Sequence, residues 1–212
     1  MRTAVRHRRR KSAKLPYMDD IVKQAMAKWP NVPHCYGWLA LDARGGWRMR
    51  DEQAQHANLP GERLVNAALL AFINRNYAAD ERGCWYFQNG PQRVYVNLET
   101  TPYVARTDPS QGLVVQTGDA LGPLDQAYMT PAGALLVQAA GKLAQVDDRD
   151  VAQLVTGMEM DGAAVSDEAL MAWLETGTGD VSLRWNDARV AVERLPDGDL
   201  GERFGFVALP QP

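Results

Sequence analysis

The sequence predicts an α+β protein of two small domains, each built of antiparallel β-hairpins packed on a helix. Three observations predict it. Short runs rich in aromatic and β-branched residues recur between glycine, asparagine and aspartate turns. Helical periodicity is confined to a few separate segments. One pattern, a turn followed by arginine, valine, any residue and valine, occurs twice. Its first copy is Asn89-Gly90 before Arg93-Val94-Tyr95-Val96, and its second is Asn186-Asp187 before Arg189-Val190-Ala191-Val192. Each copy follows an aromatic strand and a helix. The expectation is an internal duplication of a hairpin–helix–hairpin unit.

The elements follow in order. Asp19 caps a helix running to about Trp29, where Pro30 stops it, and Ile21, Val22, Ala25 and Met26 recur at helical spacing. Tyr36 to Leu41 and Trp47 to Met49 flank the turn Asp42-Ala43-Arg44-Gly45-Gly46, because glycine supplies the positive φ of a tight turn. Pro60 and Gly61 precede a helix through about Tyr77, whose apolar face is Leu64, Val65, Ala68, Leu69, Phe72 and Ile73. Cys84 to Phe87 and Arg93 to Leu98 form the second hairpin. Thr101 to Ala105 reads as an edge strand, since Pro102 cannot donate to a central ladder. Residues 107–112 form the candidate linker, dividing a domain of 18–108 from one of 112–212. Beyond it, Gln126 to Met129 and Ala134 to Ala139 form a hairpin. Helices are expected at about 148–157 and 167–176, then the hairpin at Asn186-Asp187, then a last strand from Arg203 to Leu209.

The composition is that of an ordinary globular chain, 46% hydrophobic and 23% charged. No stretch approaches the roughly 18 apolar residues of a membrane helix. The net charge of −3 conceals an asymmetry. Residues 1–17 carry seven basic residues and no acid, which leaves sixteen basic against twenty-six acidic residues, or −10, in the remainder. Such an acidic body disfavours nucleic acid as the principal partner. The basic segment reads as a nucleic-acid or membrane-surface arm, as a targeting signal without an apolar region, or as a disordered or mis-assigned start ahead of Met18. Cys35 and Cys84 are too few for a disulfide framework and lack a CxxC pair, which fits reduced thiols in the cytoplasm.

Asp42 to Trp47, the helix from Leu64, Gly83-Cys84-Trp85-Tyr86-Phe87 and the stretch Gln92 to Ala105 together resemble a proteobacterial family of unknown function. The resemblance covers roughly residues 36–145. It implies a duplicated core, a C-terminal domain superficially like a pleckstrin-homology fold, and a ligand site between the halves for a nucleotide-like molecule, with a role in signalling. The chain departs from that pattern in two places. Its turn is two residues longer, and Glu99-Thr100-Thr101 stands where the family carries glutamate-aspartate-x.

No complete catalytic motif is present. His34 beside Cys35 could begin a metal site, but the spacing to His56 or Cys84 is long for zinc. Asp147, Asp148 and Asp150 favour a helix N-terminus through its dipole. Gly45-Gly46 lacks the lysine and helix of a phosphate loop. What remains is an arginine–aromatic set of Arg93, Tyr95, Trp85, Trp47 and Arg189, suited by stacking and paired hydrogen bonds to a planar anion. The expected function is a ligand-sensing or signalling module that binds a small anionic ligand between the repeats. The alternatives are an interaction scaffold and an enzyme with an unfamiliar site. No membrane partner is expected, and the sequence names no cofactor or oligomeric state.

Overall fold

The computed structural model describes residues 18–212. The basic segment 1–17 lies outside the described residues. The fold is mixed α+β with two sheets. The first half comprises α1 (Asp20–Lys28), β1 (Cys35–Leu41), β2 (Trp47–Met49), α2 (Glu52–His56), β3 (Glu62–Arg63), α3 (Ala67–Arg75), β4 (Tyr77–Ala79), β5 (Trp85–Asn89) and β6 (Gln92–Leu98). Its six strands run in the order β3-β2-β1-β6-β5-β4, with β1 and β6 parallel at the centre. The second half comprises β7 (Tyr103–Asp108), β8 (Gly112–Val115), β9 (Gln126–Met129), β10 (Leu135–Ala139), β11 (Lys142–Val146), α4 (Val151–Val155), β12 (Met158–Met160), β13 (Ala163–Ala164), α5 (Asp167–Thr176), β14 (Val181–Trp185), β15 (Ala188–Arg194) and α6 (Leu200–Phe204). Its sheet runs β13-β12-β14-β15-β9-β10-β11-β7-β8.

The repeat expected from the sequence is present in the pairing register. Leu41 pairs with Trp47 and Ala40 with Arg48, while Met129 pairs with Leu135 and Tyr128 with Leu136. Ala40 lies beside Asn97 in parallel, as Tyr128 lies beside Glu193. Arg93 faces Gln88 across its hairpin, as Arg189 faces Arg184. The turns agree as well. Asp42 N–H donates to the Gly46 carbonyl and Thr130 N–H to the Ala134 carbonyl, both at 2.9 Å. The strand order β3-β2-β1-β6-β5-β4 therefore recurs as β11-β10-β9-β15-β14-β12.

The copies stack the same way up. Leu39, Leu41, Val96 and Leu98 point from the first sheet into a core shared with Tyr128, Leu136, Leu143 and Leu195 of the second. Alternation on a strand sends successive side chains to opposite faces. Ala127, Met129, Leu135 and Val137 thus face away, into a second core with Leu154, Met158 and Trp173 beneath α4 and α5. The face of the first copy that matches Tyr128 and Leu136 carries Ala40 and Arg48, and it looks outward.

Several sequence expectations are corrected. The helix entered at Gly61 starts later, because Glu62–Arg63 pairs with β2 as β3 and Asn66 caps α3 by accepting from Leu69 N–H at 3.0 Å. It also ends earlier, at Arg75, and Tyr77 opens β4. The supposed linker 107–112 is the turn of the β7–β8 hairpin, tied by Asp108 to the Ser110 and Gln111 amides. The supposed edge strand belongs to the second sheet, where β7 lies between β11 and β8. The sheets therefore change between Leu98 and Tyr103. The last strand is instead α6, capped by Asp199, followed by a tail that returns to the first sheet through Ala208, whose carbonyl accepts from Leu98 N–H at 2.8 Å. Short elements such as α2 and α6 have too few turns for periodicity to reveal them.

Candidate functional site

The site begins with the turn after β1. Asp42 Oδ1 accepts from Gly46 N–H at 2.6 Å and from Arg44 N–H at 3.1 Å. Gly45 takes φ of +75°, which the turn requires. The second carboxylate oxygen is left for Arg48, whose Nε donates to it at 2.7 Å. Arg48 and Arg50 alternate with Trp47 and Met49, so both guanidinium groups belong to the outer face.

Arg50 is only 8% exposed. The loop after α2 folds over it. Its Nε donates to the Leu59 carbonyl at 2.9 Å, and Nη2 reaches the Ala54 carbonyl and Asn58 Oδ1 at 3.4 Å. Nη1 meets no acceptor among the described residues. No carboxylate lies within ion-pair distance of Arg50 among them, whereas Arg48 has Asp42. Gly61, at φ +81°, lets the loop close this tightly, since a Cβ there would stand 2.3 Å from the Met49 carbonyl oxygen.

The two arginines line a cleft of about 250 Å³ at the C-terminal ends of β1 and β6. Asn58, Asn97 and Glu99 complete its polar wall, with Leu59, Pro60 and Leu209 its apolar one. Glu99 Oε2 accepts from Ala43 N–H at 3.0 Å, which ties the strand end to the turn. Of the stretches that carry the sequence resemblance, Asp42 and residues 97–99 line this cleft.

The five residues singled out from sequence are placed on three surfaces. Trp47 is 3% exposed in the core between the sheets, its Nε1 donating to Asn74 Oδ1 at 2.8 Å. Trp85 packs with Tyr77 and Tyr103 on the same inner side. Arg93 and Tyr95 are on the outer face, where Arg93 lies 4.5 Å over the Tyr86 ring and the Tyr95 hydroxyl donates to Asp80 at 3.0 Å. Arg189 sits on the second sheet, held by Ser182 Oγ and Glu159. Arg93 and Tyr95 are brought together, while the tryptophans and Arg189 are not. The space between the sheets is packed with apolar side chains, and the cleft opens away from it.

Arg48 and Arg50 escaped the sequence reading. Two arginines two apart in a strand share a face, but sequence does not say that this face is open. His34 packs edge-on against Tyr95, and burial with the charges of Arg93 and Arg82 pushes its pKa down. Burial and Asp80 push the Cys84 thiol up, which disfavours a thiolate. Both cysteines are free thiols. Among the described residues no helix is long and apolar enough to cross a membrane.

Comparison with known proteins gives likeness without an activity. The fold is similar to a DUF1285 family protein from Silicibacter pomeroyi DSS-3, at 16% identity and a TM-score of 0.47, over 79% of this chain and 86% of that one. It is similar to a DUF1285 family protein from Shewanella baltica OS155, at 14% identity and a TM-score of 0.39, over 56% of this chain and 90% of that one. No curated protein matches. A family model matches residues 18–211, and the chain belongs to that family, described as "Protein of unknown function (DUF2946)".

Proposed function

We propose that the protein is a ligand-sensing module that takes a small anion, carrying a phosphate or carboxylate, into the cleft beside Arg48 and Arg50. One observation carries this reading: Arg50 is a buried cation with no carboxylate partner. Desolvating a charge costs several kcal/mol unless a counter-charge offsets it. An anion in the cleft would supply one and meet the free Nη1 edge of the guanidinium.

The second copy supports the reading. It reproduces the turn and the register with Thr130, Leu136, Gln138 and Leu195 where the first copy has Asp42, Arg48, Arg50 and Glu99. The matching strand-end bonds, Glu99 N–H to Leu41 at 3.0 Å and Leu195 N–H to Met129 at 2.9 Å, are both kept. The frame therefore does not require the charges, and a binding role explains them.

Thermal unfolding of the full chain with inorganic phosphate, citrate and adenosine monophosphate tests the proposal. Saturating ligand at about 100 times Kd adds about 2.7 kcal/mol, a rise of several degrees for a domain this size. Arg48→Leu should fold and lose that rise. Absence of a rise with every probe, or an undiminished one in Arg48→Leu, would sink the proposal.

A further inference from the structure

A second candidate site lies on the other half of the molecule. It emerges when the outer face of the first sheet is laid over the matching face of the second. In the first copy Tyr86 and Tyr95 stand opposite each other, each 2% exposed. In the second copy the register places Ser182 opposite Ala191. The loss of two rings leaves an open groove of about 610 Å³ across β14 and β15. Asp161, Gly179, Asp180 and Arg189 form its walls.

Two of the polar groups around Tyr86 and Tyr95 in the first copy, Asp80 and Arg93, have counterparts around this groove, whereas Arg82, which lies 5.7 Å over the Tyr95 ring, has none between Asp161 and Asp180. Asp80 and Cys84 clasp each other, Asp80 N–H donating to the Cys84 carbonyl and Cys84 N–H to Asp80 Oδ1, both at 2.9 Å. Asp161 and Asp180 form the same clasp at 3.0 and 3.1 Å, although β13 and α5 are inserted between them. Asp80 Oδ2 accepts the Tyr95 hydroxyl at 3.0 Å. Asp161 Oδ2 meets no donor among the described residues. Arg93 covers Tyr86, and its counterpart Arg189 is held over Ser182 by a 2.9 Å hydrogen bond from Nε. The second copy has thus kept an acceptor for a phenol hydroxyl and a guanidinium for a ring edge or face, and has replaced the rings by small side chains.

We propose that this groove binds a phenolic ring, seated over Ala191 as the Tyr95 ring is seated on its own strand, with its hydroxyl donating to Asp161 Oδ2 and Arg189 alongside. The volume lies in the range of small-ligand sites, roughly 300–1,000 Å³. The site is separate from the Arg48–Arg50 cleft and does not depend on its reading.

Amide chemical shifts of the full-length, isotopically labelled chain test this. The probes are p-cresol, N-acetyl-L-tyrosinamide and 4-methylanisole, the last of which has the ring without the hydroxyl donor. Either phenol should shift the amides of Asp161, Ser182 and Ala191 in a saturable manner, with 4-methylanisole several-fold weaker. Stronger binding of N-acetyl-L-tyrosinamide assigns the ring to a polypeptide's tyrosine, and stronger binding of p-cresol to a free phenol. Ala191→Tyr supplies the ring from the chain itself and should abolish the shifts. Should it not fold, Ala191→Leu blocks the same space. No saturable shift with either phenol overturns the proposal. So do equal binding of 4-methylanisole and undiminished binding in the blocked variant.

Discussion

Leu136 occupies in the second copy the register position that Arg48 occupies in the first. Leu136 is fully buried between the sheets, while Arg48 reaches the outer cleft. One backbone frame thus serves packing in one copy and polar chemistry in the other. The exchange is not symmetric. Leu136→Arg would bury a charge in the apolar inter-sheet core without a partner. It should cost upwards of about 3 kcal/mol and leave little native protein. Urea denaturation measures the loss, and a near-native midpoint would show that the core can open to solvent.

Arg50→Met separates a binding arginine from a structural one. Methionine keeps much of the volume and removes the buried charge. The hydrogen bonds to Leu59, Ala54 and Asn58 are lost at about 1 kcal/mol each or less, while relief of the desolvation penalty acts in the opposite direction. Net stability should change by less than about 2 kcal/mol, and the anion-induced thermal rise should disappear. A fall of about 4 kcal/mol or more would identify Arg50 as the clasp that holds the loop, not as a ligand group.

Gly61→Ala tests whether that loop shapes the cleft. The new Cβ would meet the Met49 carbonyl oxygen at 2.3 Å and Arg50 Cγ at 2.8 Å, in a backbone at φ +81°. Left-handed strain alone costs of order 1–3 kcal/mol. The variant should lose at least that much stability by chemical denaturation and bind anions more weakly. Unchanged binding would place the determinants on the strands alone.

The fold was legible where local chemistry dictates it. The hairpin ending at Asn89-Gly90 and the helix capped by Ser166, which accepts from Ala169 N–H at 3.2 Å, follow from turn and capping residues. The match of Arg93 to Arg189 was also legible, and the register bears it out. Long-range choices were not. Nothing in Tyr103 to Asp108 says that it pairs with β11 of the second sheet, and nothing local turns Glu62–Arg63 from helix to strand. The site was hidden for the same reason. The stacking order decides which strand face is covered, and so whether an arginine such as Arg48 has a cleft to serve.

Asp147 should give the stability curve an acid limb. Its side chain is fully buried, and the Arg149 guanidinium holds its pKa down, from the ordinary value to about 2. A carboxylate depressed in the folded state stabilises above its unfolded pKa near 3.9, and that contribution is lost as pH falls toward 2. With Arg149 half in solvent, the amount is about 1–2 kcal/mol after screening. Asp147→Asn should flatten stability between about pH 4 and pH 2, with the difference from wild type largest near neutrality. Parallel acid limbs in the two proteins would show that other carboxylates govern that range.

Arg93→Ala distinguishes two roles for the arginine that the sequence marked first. In the structure its guanidinium already covers the Tyr86 ring, and Tyr86 and Tyr95 are too buried to stack on a ligand. A cation over an aromatic face contributes about 0.5–2 kcal/mol. The variant should lose about that much stability and expose Tyr86, which tyrosine fluorescence quenching by acrylamide would detect. It should keep the phosphate-induced thermal rise, because Arg93 does not line the cleft of Arg48 and Arg50. Loss of the rise with the fold intact would instead extend the anion site across the outer face to Arg93, and the cleft would be only one end of it.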